Sequence, residues 1–139
     1  MTVANPHASL RRGVAAVELA ILLPLLMFLF VVAVDFSRIF FYSLTITSCA
    51  RNGAMYQSDP TGALQSPYAD VTAASLADAS NLSPTPTVTS TTTSDDSGSY
   101  VSVTVSYPFK TITNYPGVPN NLTVTRTVRM RMVQAVPNF

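Results

Sequence analysis

From Val14 to Val34 the chain is apolar at every position except Glu18 and the helix-perturbing Pro24. At 1.5 Å per residue this run makes roughly 31 Å of helix, about one hydrocarbon thickness. The apolar pattern then changes without ending. Phe36, Phe40 and Leu44 recur at four-residue steps, and Ile39, Ile46 and Gly53 at seven. With Ala50 and Ala54 they form a stripe that predicts helix to about Tyr56. Asp59-Pro60-Thr61-Gly62 breaks that helix, and residues 57–67 read as a loop. A short second helix is expected from Pro67 to Ala79. Ser66 is its expected N-cap, Asn81 its stop, and Val71, Ala74, Leu76 and Ala79 its inward residues.

Beyond Pro84 and Pro86 the period changes to two. Thr87-Val88-Thr89 and the following Ser/Thr run predict a first strand, and Asp95-Asp96-Ser97-Gly98 a turn. Val101, Val103, Val105, Tyr107 and Phe109 alternate with polar residues and Pro108, as in a half-buried strand. A turn region at Pro116–Asn121 precedes a last strand in which Leu122, Val124, Val128, Met130 and Met132 share a face that Arg126 interrupts. The expected fold class is α+β: a long membrane-spanning helix continuing outward, a short second helix, and an antiparallel sheet of about three strands. One sheet face is expected to pack on the outer half of the long helix.

Composition sharpens this picture. Charged residues are 11% of 139 and the net charge is +1, so bulk charge predicts no nucleic-acid binding. His7 and Cys49 are the only residues of their types. No internal disulfide, Cys/His metal site or cofactor site is expected. Neither a nucleophile–base set nor a glycine-rich phosphate loop is present, so no enzyme activity is predicted. Arg11 and Arg12 precede the apolar run, and the Thr/Ser-rich bulk follows it. The positive-inside rule therefore puts the amino end in the cytoplasm and the carboxyl domain outside. Four segments result: a leader at 1–13, a transmembrane segment at 14–34, the outward continuation of the helix at 35–58, and an extracytoplasmic domain at 59–139. Asp35 and Arg38 mark the membrane exit, with i,i+3 spacing that lets them pair.

Glu18 stands out. A carboxylate at the bilayer centre costs roughly 2.5–3.5 kcal/mol, and less near the edge. One reading is that it snorkels and pairs with Arg11 or Arg12. A sharper one uses its spacing from Gly13. Cleavage between Gly13 and Val14 would make Val14 an amine and Glu18 the fifth residue, and the two could pair between adjacent subunits of a helix bundle. Glycine before the cut leaves a protease clear access to extended backbone.

The run Arg12-Gly13-Val14-Ala15-Ala16-Val17-Glu18-Leu19-Ala20 with Pro24 resembles the class III signal peptide of type IV pilin-like proteins. It is similar in particular to the TadE-like minor pseudopilins of the Tad (Flp) pilus system. Val34-Asp35-Phe36-Ser37-Arg38, Ala50-Arg51-Asn52-Gly53-Ala54 and the strands around Tyr107-Pro108-Phe109 and Thr127–Met132 resemble that family too. Leu19 departs from it, standing where an aromatic is frequent. The resemblance implies a pilin-like helix in the bacterial inner membrane, with processing by a prepilin peptidase at Gly13 and Val14. It implies as partners the lipid bilayer, inner-membrane Tad assembly proteins and other pilins or pseudopilins, and as role the assembly of an adhesive pilus.

Two alternatives remain at this level. One is an unprocessed single-pass signal-anchor envelope protein whose α+β domain binds a ligand or partner. The other reads Ile46-Thr47-Ser48-Cys49 as a loose lipobox, against the plainer reading of Cys49 as a small helix-packing residue. Pro24 is read mainly as a harmless kink.

Overall fold

The structure is a computed structural model that describes residues 7–112 and 120–133, with side chains from Gly13 onward. Its dominant element is α1 (His7–Ser58), 52 residues long and therefore about 78 Å in length. The helix starts earlier than the apolar pattern foretells, because it includes His7–Arg12 of the leader. Ala8, Leu10, Arg11 and Arg12 are good helix formers, so the first turns need no apolar stripe to form. Pro24 sits inside α1, and helix is assigned on both sides of it.

The helix ends where Asp59-Pro60 was expected to end it, but the loop reading of 57–67 needs correction. A short helix, α2 (Pro60–Leu64), begins there at once. Asp59 is its N-cap and accepts the backbone N–H groups of Thr61 and Gly62 at 3.1 and 3.0 Å. Proline suits the first helical position, where no N–H is needed, so the same two residues stop one helix and start another.

A second correction concerns the next helix. α3 runs over Val71–Leu76 only, and its N-cap is Asp70, whose carboxylate accepts the Ala73 N–H at 2.7 Å. Ser66 instead accepts the Tyr68 N–H within the preceding turn. Both are good capping residues, and they stand four positions apart. The inward set holds: Ala74 and Ala79 are buried and Val71 and Leu76 pack against the core. Ser75 joins them, fully buried, with its hydroxyl donating to Val71 O at 2.7 Å.

The sheet is a meander of β1 (Thr87–Asp95), β2 (Gly98–Lys110) and β3 (Asn121–Arg131), in the order β1-β2-β3. β1 and β2 meet at Asp95↔Gly98. Gly98 carries φ +128° there, a conformation that a side chain would strain. β2 and β3 are in register from Tyr100↔Arg131 to Lys110↔Asn121. Pro116–Pro119 of the expected second turn region lie outside the described residues, and Asn121 opens β3.

β2 supplies the core. Val101, Val103, Val105, Tyr107 and Phe109 are all buried, each contributing roughly 1.5–3 kcal/mol relative to exposure. They pack with Ile46, Cys49, Ala50 and Ala54 of α1. The helix runs antiparallel to β2. Arg38 reaches Lys110 O at one end, while Ser58 O accepts the Val133 N–H, just past β3, at the other. Gly53 permits the closest approach, since an added Cβ would collide with Ser75 Oγ and lie 3.1 Å from Val103.

The apolar stripe of α1 splits at this level. Ile39, Ile46, Ala50, Gly53 and Ala54 face the domain as expected. Phe36, Phe40 and Leu44 do not. They are 71%, 60% and 54% exposed, and Phe41 is 53% exposed. At 100° per residue these four cluster on the side away from Asp35, Tyr42 and Ile46. Four-residue and seven-residue spacings both score as helical periodicity, and only the position of the sheet separates them.

Candidate functional site

Two places on α1 carry the candidate chemistry. The first is the amino-terminal segment. Gly13, Val14 and Glu18 all lie within the continuous helix and all are exposed. Nothing lies within 4 Å of a Cβ placed on Gly13, so the position is open to an approaching protein. Val14 and Glu18 are four residues apart, about 6 Å along the axis and on the same face. Arg11 and Arg12 lie one turn or less before Val14 in the same helix. The peptide bond after Gly13 is helical, whereas proteases bind extended backbone. Glycine is the weakest helix former after proline, so local unwinding is least costly there. From Gly13 the helix is apolar and long enough to cross a membrane, and its most apolar window is unburied by the rest of the chain. Pro24 lies in that stretch.

The second place is the helix exit. Asp35 is buried and pairs with Arg38 at 3.1 Å, as the i,i+3 spacing predicts. Its further role was not legible. Both carboxylate oxygens accept the backbone N–H of Ile112, at 3.0 and 3.2 Å. Arg38 Nη1 also lies 3.5 Å from Lys110 O, and the guanidinium stands 5.1 Å from the Phe109 ring centroid. Tyr42 packs on Phe109 and Tyr107, at 5.6 and 5.2 Å between ring centroids. Tyr107 donates its hydroxyl to Ser83 O at 3.0 Å. Burial pushes the Tyr107 phenol up, Tyr42 adds to that, and Arg38 opposes it. The end of β2 is thus clamped to the point where the helix leaves its wholly apolar stretch.

Cys49 is fully enclosed between α1 and the sheet. Burial raises its thiol pKa, the charge of Asp78 raises it further, and a backbone hydrogen bond acts the other way. A thiol so placed is a packing residue and not an exposed acylation site. Arg126, which interrupts the inward pattern of β3, bonds the Ser43 hydroxyl of α1. Arg129 stacks on Tyr100 at 4.2 Å and pairs with Asp95 at 3.6 Å. Both arginines, though exposed, therefore have defined partners. Among the described residues no group of three or more His, Cys, Asp or Glu is placed to hold a metal ion.

A long amino-terminal helix, apolar enough to cross a membrane and largely unburied, that carries a small α+β domain on its outer half defines the class of architecture. Within that class, residues 13–55 match the model of the family described as TadE-like protein. The matched stretch begins at Gly13 and ends one turn before α1 does, so the similarity to that family lies within this helix. The three strands lie outside the match. Neither curated proteins nor solved structures give a match to the chain.

Proposed function

We propose that this chain is a minor pseudopilin of a Tad (Flp) pilus system, held in the inner membrane by α1 until a prepilin peptidase cuts between Gly13 and Val14. The family match that starts at Gly13 carries this reading. The amino end lies in the cytoplasm and the α+β domain outside. Arg11 and Arg12 hold the leader on the cytoplasmic side, and an accessible Gly13 admits the peptidase. Glu18 then pairs with the new Val14 amine of a neighbouring subunit as the helix moves from lipid into a bundle. Its partners are the peptidase, the inner-membrane Tad assembly proteins, and other pilins or pseudopilins. Its role is assembly and not catalysis.

A second reading is an uncleaved signal anchor whose domain binds an envelope partner. It is favoured by the helical backbone across Gly13–Val14. Amino-terminal sequencing of the protein from its native host decides between them. A mature terminus at Val14 supports the pseudopilin, and intact protein starting at Met1 overturns the processing step.

A further inference from the structure

We infer that the lower end of the α+β domain is a lipid-docking surface that seats on anionic phospholipid headgroups while α1 spans the bilayer. The inference rests on the spanning role of α1 and goes beyond it, since a spanning helix alone leaves the domain at any height or tilt.

Three observations converge at one end of the domain. The first is length. Beyond Val34 the outward apolar face of α1 continues through Phe36, Phe40, Phe41 and Leu44, these four all more than half exposed. From Val14 to Leu44 that face covers about 46 Å, against roughly 40–45 Å for a bilayer with its headgroup layers. The large rings thus fall in the outer interface, and Ile112, 64% exposed, lies at the same level through its bond to Asp35.

The second is charge. At this end Arg38 balances Asp35, while Lys110 and Arg126 have no acidic counterpart nearby: Lys110 closes β2 beside Arg38, and Arg126 bonds Ser43. The other five aspartates of the sequence, at 59, 70, 78, 95 and 96, are all in the upper part of the domain or on its outer loops, with Arg51, Arg129 and Arg131. The domain is therefore polarised, positive toward the bilayer and negative away from it.

The third is shape. A cleft of about 290 Å³ opens at this level, lined in part by Arg38, Tyr42, Pro84, Tyr107, Phe109 and Lys110. Cations over aromatic walls suit a phosphate whose glycerol and acyl parts leave along an apolar helix. The occupant is a phospholipid with net negative charge, such as phosphatidylglycerol, because the aromatic face demands the chains and the cations the phosphate.

The chain contains no tryptophan, so Leu122→Trp gives a single probe. Leu122 is exposed on β3 opposite Phe109, at the lower end and off the helix. The full-length variant is placed in nanodiscs of phosphatidylcholine, with or without phosphatidylglycerol, carrying a headgroup nitroxide quencher. Quenching should be stronger in the anionic discs and weaken with salt. Lys110→Gln with Arg126→Gln should return it to the neutral-disc value, each cation shifting the seated-to-lifted ratio by about fivefold. Lys110→Arg with Arg126→Lys should keep it, which separates lost charge from lost folding. Equal quenching in both discs, or no effect of the glutamine pair, overturns the inference while leaving a spanning helix intact. Extraction of the chain from the discs by alkali overturns the spanning role and the inference with it.

Discussion

Asp35 grips the backbone N–H of Ile112 with both carboxylate oxygens, across 77 positions of sequence. The bond ties the last wholly apolar turn of α1 to the chain leaving β2, with Arg38 neutralising the buried charge from the solvent side. Removing the carboxylate leaves a part-buried N–H and a guanidinium without it, and a lost partner of this kind costs about 1–3 kcal/mol. Asp35→Ala should therefore lower the stability of the detergent-solubilised full chain by about 2–3 kcal/mol, and Asp35→Asn by less, since the amide oxygen still accepts. Thermal unfolding followed by circular dichroism measures this, and an Asp35→Ala melt equal to wild type would remove the clamp from the account.

Gly53 makes a sharper packing test. In an exposed helix, glycine to alanine gains about 1 kcal/mol. Here the new methyl meets Ser75 Oγ and Val103, and overpacking costs typically 1–3 kcal/mol. Gly53→Ala should be net destabilising by about 1–2 kcal/mol, with partial recovery in Gly53→Ala/Ser75→Ala. A stabilised single mutant would show that α1 and α3 sit further apart than described.

On the proposed pseudopilin reading, processing separates from assembly at two residues five positions apart. Gly13→Val places a β-branched side chain where the proposed peptidase would approach, and should leave the protein at full length on an immunoblot. Glu18→Ala should be cut at the normal position yet reduce pilus number seen by electron microscopy. Normal piliation in that mutant would sink the amine–carboxylate pairing and leave Glu18 as an interfacial residue.

Cys49 offers a pH test. Its thiol pKa is raised in the folded chain by burial, so the folded state holds its proton at pH values where the unfolded chain begins to lose it. Stability contributed by the neutral thiol is fully present below the ordinary thiol range and falls as pH rises through it toward the folded value. Native protein at mildly alkaline pH should resist alkylation, and denatured protein should react fully. Rapid alkylation of the native chain, measured by mass spectrometry, would mean the helix–sheet core opens readily.

The long helix, the three strands and the Asp95–Gly98 turn were legible because each has a periodicity or a turn chemistry of its own. The Asp35–Arg38 pair was legible for the same reason, since its partners are one turn apart. The spacing of Gly13, Val14 and Glu18 is a pattern of the sequence itself, and the family match begins at its first residue. What failed was choice among equivalents. Ser66 and Asp70 are both competent caps, and only the docking of α3 on α1 selected Asp70. Asp59-Pro60 reads equally as a stop and as a start.

By itself the sequence determined how far α1 extends in apolar form, where the period changes from helix to strand, and which residues form the amino-terminal segment. Those properties depend on neighbours within a turn or along a strand. The tertiary structure decided which side of the outer helix is core. Ile39, Ile46 and Ala50 turn inward while Phe36, Phe40 and Leu44 turn out, because a helix apolar on two sides is assigned a core face only when a sheet is laid against one of them. It also decided that Asp35 holds Ile112 and that Arg126 holds Ser43. Both contacts join residues whose sequence separation hides them and whose proximity exists only once β2 and β3 are packed on α1.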